Sequence, residues 1–315
     1  MIDIKGWASD NNYKVAWGNI QCLSDSYDEF ERMSKLGELH GVQEVVFNRW
    51  GSFGKVKEAD MKTVILIAAP TSGDTRKIIF NCDGREIETL LPPWYSDNAS
   101  KNLDSAIEKS LSDFISSYGY KAEKLSAPYK DLSARLGLGK YGRNNLMYVE
   151  EFGSYIRLIG FITNAEFEAE SYPEKISDKQ TLENCEKCTA CKNSCPTNAI
   201  GDDRFRLHVD RCLSDYSEST EEWPDFVKSA KNKCLVGCLN CQQACPYNKN
   251  LSDASIVLHA SFNSEETDYI LGKFVENMDE VAMAIEEKFI KLGLVTHKEY
   301  LVRNLRTIIN NIYSL

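Results

Sequence analysis

The chain has 315 residues, room for about two domains of ordinary size, and 43% of them are hydrophobic, enough for a packed core. Its net charge of −10, from 37 Lys and Arg against 47 Asp and Glu, argues against a partner held through clustered phosphates. No stretch approaches the roughly 18 consecutive apolar residues of a membrane span, and the start, Met1-Ile2-Asp3-Ile4-Lys5, lacks the basic and apolar pattern of an exported leader. A soluble, cytoplasmic protein is expected.

In chain order, residues 24–39 have helical spacing, with Phe30, Met33, Leu36 and Leu39 on one face. Residues 63–69 are rich in β-branched side chains and are expected as a central strand. Residues 78–80 and 86–91 predict a hairpin across Asp83-Gly84. Residues 98–118 predict an amphipathic helix that buries Leu103, Ile107, Leu111, Phe114 and Ile115 and stops at Gly119. A strand over 120–125 and a short helix over 131–136 are expected next. Residues 146–149 and 155–163 read as two strands joined at Gly153. Such interleaving makes the first part α/β or α+β. The polar stretch 172–179 marks a boundary, and residues 180–250 promise little regular structure. Residues 262–313 are expected to be helical, with Asn263-Ser264 as a start and Gly293 as a stop.

Eleven cysteines are present, and only Cys22 and Cys82 lie outside the span from Cys185 to Cys245. An odd count without an export signal argues against a disulfide framework and points to metal. The first motif is Cys185-x2-Cys188-x2-Cys191-x3-Cys195-Pro196; the second is Cys238-x2-Cys241-x3-Cys245-Pro246, with Cys212 upstream. In a ferredoxin run three cysteines surround one cubane and the fourth, before Pro, ligates the other. That logic gives one 4Fe–4S cluster to Cys185, Cys188, Cys191 and Cys245. The second takes Cys195, Cys238, Cys241 and either Cys212 or Cys234. Cys212 is favoured, because the segment before it can run back beside the first motif. The alternative is structural zinc, which pairs C-x2-C units without the C-x3-C-P ending. Cys22 and Cys82 read as plain thiols. Two cubanes, each passing one electron at a time, read as a wire.

Several segments resemble the epoxyqueuosine reductase superfamily, cobalamin-dependent proteins with two 4Fe–4S clusters that are related to reductive dehalogenases. They are Leu136-Gly137-Leu138-Gly139-Lys140-Tyr141-Gly142-Arg143-Asn144-Asn145, Phe152-Gly153-Ser154, Cys195-Pro196-Thr197-Asn198-Ala199-Ile200 within the cysteine module, and Val302-Arg303-Asn304-Leu305. The resemblance covers roughly residues 60–310. It implies an α+β protein with a nitroreductase-like α/β cobalamin domain (1–175), a ferredoxin-like double-cluster module (176–252) and a C-terminal helical cap (253–315). It also implies a base-off corrinoid between the first domain and the clusters. Gly137, Gly139 and Gly142 would allow close backbone approach to it. Lys140, Tyr141, Arg143, Asn144 and Asn145 complete the expected cofactor contacts, several as hydrogen-bond donors.

The chain departs from the family where a proton-donating Asp is expected, since Leu125 or Ser126 takes its place. Tyr129 is therefore the expected proton donor, with Lys130, Tyr95 and Asp97 as further candidates. The resulting expectation is a cobalamin- and iron–sulfur-dependent reductase of a small molecule, not of epoxyqueuosine in tRNA. An external ferredoxin- or flavodoxin-class protein would supply low-potential electrons, with neither nucleic acid nor membrane as a partner. The alternatives are an electron-transfer protein without corrinoid and a divergent epoxyqueuosine reductase.

Overall fold

The structure is a computed structural model, and it describes residues 2–37, 39, 44, 47–48, 60–71, 75–95, 97–168, 181–202, 207–249 and 256–313. The expected boundary at 172–179 lies outside the described residues. The first part runs α1 (Ile4–Asp10), β1 (Lys14–Asn19), α2 (Cys22–Lys35), β2 (Thr63–Pro70), β3 (Thr75–Cys82), β4 (Arg85–Leu91), α3 (Asp97–Ser116), β5 (Ala122–Leu125), α4 (Tyr129–Arg135), β6 (Lys140–Tyr141), β7 (Met147–Tyr148) and β8 (Ile156–Thr163). The cysteine module holds only short turns, among them α5 (Ala190–Ser194), α6 (Leu213–Ser217), α7 (Asp225–Lys228) and α8 (Asn240–Gln243). The chain then forms β9 (Ile256–Phe262), α9 (Ser264–Ile270), α10 (Met278–Leu292) and α11 (Lys298–Tyr313). The mixed helix and sheet content agrees with an α+β protein.

Strands β1, β2, β8 and β5 form a four-stranded sheet in that order, with every neighbouring pair antiparallel. β2 is central, and all its residues except Pro70 are buried. The alternation of a strand divides them between two cores. Val64, Leu66 and Ala68 pack with Leu23 and Met33 of α2 and Leu132 of α4. Ile65, Ile67 and Ala69 pack with Ile4 and Trp7 of α1 and with Ile107, Leu111 and Ile115 of α3. Helices on both faces explain why β2 reads as a continuous apolar run.

The β3–β4 hairpin turns at Asp83 (φ 49°) and Gly84 (φ 76°), a left-handed pair that suits the strand twist. It does not join the four-stranded sheet. β3 pairs in parallel with β9, giving a second sheet in the order β4-β3-β9. Phe80, Ile87 and Leu91 share a core with Phe262 and with Ile285, Phe289, Leu301 and Leu305 of α10 and α11. The C-terminal segment expected to be helical therefore opens with a strand, which covers an edge of β3 that would otherwise be open. Its helices begin with a capping box at Asn263 and Glu266, and α10 ends at Gly293 in the left-handed region (φ 70°).

The two strands expected to meet at Gly153 also part company. β8 pairs with β2 and β5, whereas β7 folds back on β6 as a separate two-stranded hairpin. That hairpin carries the glycine loop to the cysteine module.

Candidate functional site

Two cavities gather eight of the clustered cysteines. The smaller, about 110 Å³, is lined by Cys185, Cys188, Cys191 and Cys245 together with Arg143 and Tyr148. The larger, about 340 Å³, is lined in part by Cys195, Cys212, Cys238 and Cys241. The two motifs thus interlock: Cys195 leaves its own loop for the second set, and Cys245 leaves its loop for the first. Ser194 Oγ donates to Asn240 O at 3.1 Å and ties the two loops together. Cys234 lines neither cavity. It is buried, between residues that extend β4, with Leu90 N donating to Lys233 O and Leu235 N to Leu90 O, both at 2.7 Å.

Burial pushes the Cys191 thiol up to about 11 and the Cys238 thiol up to about 12, and raises Cys241 strongly. Thiolates are the metal ligands, so bound iron has to offset this desolvation.

Of the three glycines in the loop only Gly137 is in the left-handed region (φ 71°). A Cβ on Gly139 would meet Tyr148 O at 2.6 Å, and one on Gly142 would meet the Tyr148 ring at 2.5 Å. The close approach is therefore between β6 and β7. Arg143 is committed to the smaller cavity: its guanidinium donates to Cys185 O (2.6 and 3.1 Å), Glu186 O (3.2 Å) and Asp202 Oδ1 (2.8 Å). Lys140 pairs with Glu183 (3.6 Å), and Tyr141 is buried with Ala134 and Met147. Of the eight loop residues expected at a corrinoid, only Asn144 and Asn145 line the larger cavity. Asn144 Nδ2 donates both to Tyr148 Oη (3.0 Å) and to Cys241 O (3.2 Å), bridging the two cavities.

Tyr129, the expected proton donor, does not line the larger cavity. Its hydroxyl donates to Leu125 O, its ring lies where a Cβ on Gly160 would be, and burial raises its phenol above the ordinary range. Its neighbour Lys130 does line the cavity and is the one charged side chain there among the described residues. Lys130 Nζ donates to Asn145 O (3.1 Å) and Asn145 Oδ1 (3.2 Å). Tyr95 also lines the cavity, and its hydroxyl donates to Glu218, with burial and the Glu218 carboxylate raising its phenol. Nothing is described of the Asp97 side chain. Asp131 is fully buried against Arg135 (2.8 Å) and Ser26 (2.6 Å) and has no access to the cavity.

Two further groups hold the module in place, and their roles were not read from the sequence. Ser154 of the Phe152-Gly153-Ser154 motif meets Gln242 and Asn248 in a buried polar network of five hydrogen bonds between 2.8 and 3.1 Å. Asn304 of α11, 1% exposed, donates to Ser217 O (2.8 Å) and Leu235 O (3.0 Å), and Arg303 donates to Tyr216 O (2.8 Å). The C-terminal helix thereby braces the loops on either side of the second cysteine set.

Residues 184–248 match the family model of a 4Fe–4S double cluster binding domain. The chain is 33% identical over 154 residues to the epoxyqueuosine reductase of Lactococcus garvieae, covering 48% of this chain and 40% of that protein. It is 32% identical over 118 residues to that of Bacillus subtilis, covering 38% of this chain and 28% of that protein. The alignments thus span less than half the length of either relative. A solved epoxyqueuosine reductase from Bacillus subtilis shares the fold, with a TM-score of 0.64 and 22% identity over 98% of this chain and 80% of that one. So does an epoxyqueuosine reductase solved with a tyrosine tRNA stem loop carrying epoxyqueuosine, with a TM-score of 0.62 and 21% identity over 95% of this chain and 77% of that one.

These findings correct two expectations, a small-molecule substrate distinct from epoxyqueuosine and the absence of a nucleic-acid partner. Relatives found by sequence are epoxyqueuosine reductases, and one structure of the same fold was solved with RNA. The whole-chain charge of −10 misled because a sum over every residue does not report the charge of one local surface. The chain carries a 4Fe–4S double cluster binding domain at residues 184–248, is similar in sequence over part of its length to epoxyqueuosine reductases, and shares the fold of a solved one.

Proposed function

We propose that this protein is an oxidoreductase of the epoxyqueuosine reductase type, acting on an epoxide-bearing nucleoside in RNA. The observation that carries this reading is the larger cavity, which four cluster cysteines line together with Lys130, Asn144, Asn145 and Tyr95. Electrons and a reacting group can meet there. In this reading Cys185, Cys188, Cys191 and Cys245 hold one 4Fe–4S cluster, and Cys195, Cys212, Cys238 and Cys241 hold the other. The first lies away from the substrate cavity and takes electrons from a ferredoxin- or flavodoxin-class donor.

Reducing an epoxide, to an alkene and water or to an alcohol, consumes two electrons and two protons. Two one-electron clusters match the electron count. Lys130 is the group that supplies a proton at its Nζ, held in position by both Asn145 oxygens. Trp94 and Tyr95 add aromatic surface to the cavity.

Cobalamin belongs to the same reading. The donor set fits it: Trp94 and Tyr95 offer flat apolar faces, and Asn144, Asn145 and Ser154 offer partners for peripheral carboxamides. When bound, the cofactor supplies a strongly reducing cobalt centre; the protein supplies position and a proton.

The test is single-turnover mixing of the anaerobic, prereduced protein with a tRNA stem loop carrying epoxyqueuosine, with and without added cobalamin. Loss of the epoxide in the nucleoside, read by mass spectrometry, is expected. An unchanged nucleoside, with both clusters intact and cobalamin supplied, would overturn the reading.

A further inference from the structure

The smaller cavity is lined in part by residues from outside the cysteine module, Gly142, Arg143, Asn144 and Tyr148. Tyr148 of β7 is 4% exposed and lines the cavity together with the four cysteines. Its hydroxyl accepts a hydrogen bond from Asn144 Nδ2 at 3.0 Å. The orientation of Asn144 is set on both sides, since its Oδ1 accepts from Leu146 N (3.4 Å) and its Nδ2 also donates to Cys241 O (3.2 Å). With an amide donor on its oxygen, the phenol directs its own hydrogen elsewhere, and the four cysteines of the set line the cavity it faces.

The local backbone is built around this pair. A Cβ on Gly142 would come within 2.5 Å of Tyr148 Cε2 and 2.6 Å of Asn144 Oδ1. The Tyr148 hydroxyl is a side-chain donor, and it comes from the α/β part of the molecule.

We infer that Tyr148 sets the reduction potential of the cluster held by Cys185, Cys188, Cys191 and Cys245, by donating its hydroxyl hydrogen to a ligand sulfur in the cavity they share. The inference rests on the cluster assignment proposed above. A reduced cluster carries one more negative charge than an oxidised one, so a donor at a ligand sulfur favours the reduced form and raises the potential. Tyr148 is a positioning residue here; it faces the cluster ligands and not the substrate cavity.

The experiment is redox titration of both clusters by electron paramagnetic resonance, with iron counted in each sample, for the unmodified protein and for Tyr148→Phe. The variant removes one oxygen and keeps the ring. Iron content is expected to be unchanged. The potential of the first cluster should fall by an amount worth about a tenfold change in its reduced-to-oxidised ratio, roughly 59 mV for one electron. The second cluster should not move. A fluorinated tyrosine at position 148, a stronger donor, should shift the first cluster the other way. Potentials that stay put with all iron present would overturn the inference alone, as would a shift confined to the second cluster. Loss of the first cluster in the variant would also overturn it, by making Tyr148 a structural support. Absence of iron from the unmodified protein would remove the cluster reading and this inference with it.

Discussion

Tyr129 and Lys130 are adjacent, yet the start of α4 sends them to different surroundings. Tyr129 turns into the α/β core and Lys130 turns to the cavity. Lys130→Gln is expected to lower turnover by about 10²–10⁴-fold, the usual contribution of a general acid, with both clusters retained. Tyr129→Phe should change turnover little and cost about 1 kcal/mol of stability, the worth of one hydrogen bond, in a denaturant titration. Equal losses of turnover in the two variants would count against this division. The cysteines were legible because their chemistry sits in their spacing. Lys130 was legible only as one of several candidate proton donors, and Tyr148 and Asn304 were not legible in these roles, because only the fold brings them to the cysteine module. Asn304 is the clearest case, with both acceptors more than 60 residues away in sequence.

At the scale of elements, periodicity predicted β2, the β3–β4 hairpin and α3 closely, since each buries one or two faces in full. It missed β9, whose Ile256, Val257 and Leu258 are exposed and whose place is decided by the open edge of β3. The glycine loop was recognised as a place of close approach, but the approach of Gly139 and Gly142 to β7 was not foreseen, because a sequence does not show which backbone comes near. The β6–β7 hairpin supplies the test. Gly139→Ala puts a Cβ 2.6 Å from the Tyr148 carbonyl oxygen, so overpacking should cost about 1–3 kcal/mol and lower the melting temperature.

A second element, α3, is clipped to the sheet by Asp104, which accepts two 2.8 Å hydrogen bonds from Arg157 of β8 and one of 3.1 Å from Lys124 of β5. Burial opposes ionisation of Asp104, but the bonds from Arg157 and Lys124 outweigh it and hold the carboxyl below its usual range. A depressed carboxylate stabilises the fold above its unfolded pKa of about 3.9, and that contribution disappears as pH falls through the lower folded value. Asp104→Asn should therefore cost about 1 kcal/mol near pH 7, reduced by salt because Arg157 is partly exposed, and the gap between the proteins should close below pH 4. A constant gap across the titration would contradict the assignment.

Across the whole molecule, two separate cores flank the cysteine module. The four-stranded sheet with its helices meets it through Arg143, Asn144 and Ser154, and the β9–α11 unit meets it through Arg303 and Asn304. Bracing from both sides suits a centre that must change charge without moving. The central claim is that eight cysteines hold two cubanes, with Cys212 and not Cys234 completing the second. Iron and acid-labile sulfide, counted in anaerobically purified protein alongside Cys212→Ala and Cys234→Ala, test it most directly. About eight irons and eight sulfides are expected in the unmodified protein and in Cys234→Ala, with the second cluster lost or converted in Cys212→Ala. Stoichiometric zinc, or loss of iron in Cys234→Ala with full retention in Cys212→Ala, would contradict it.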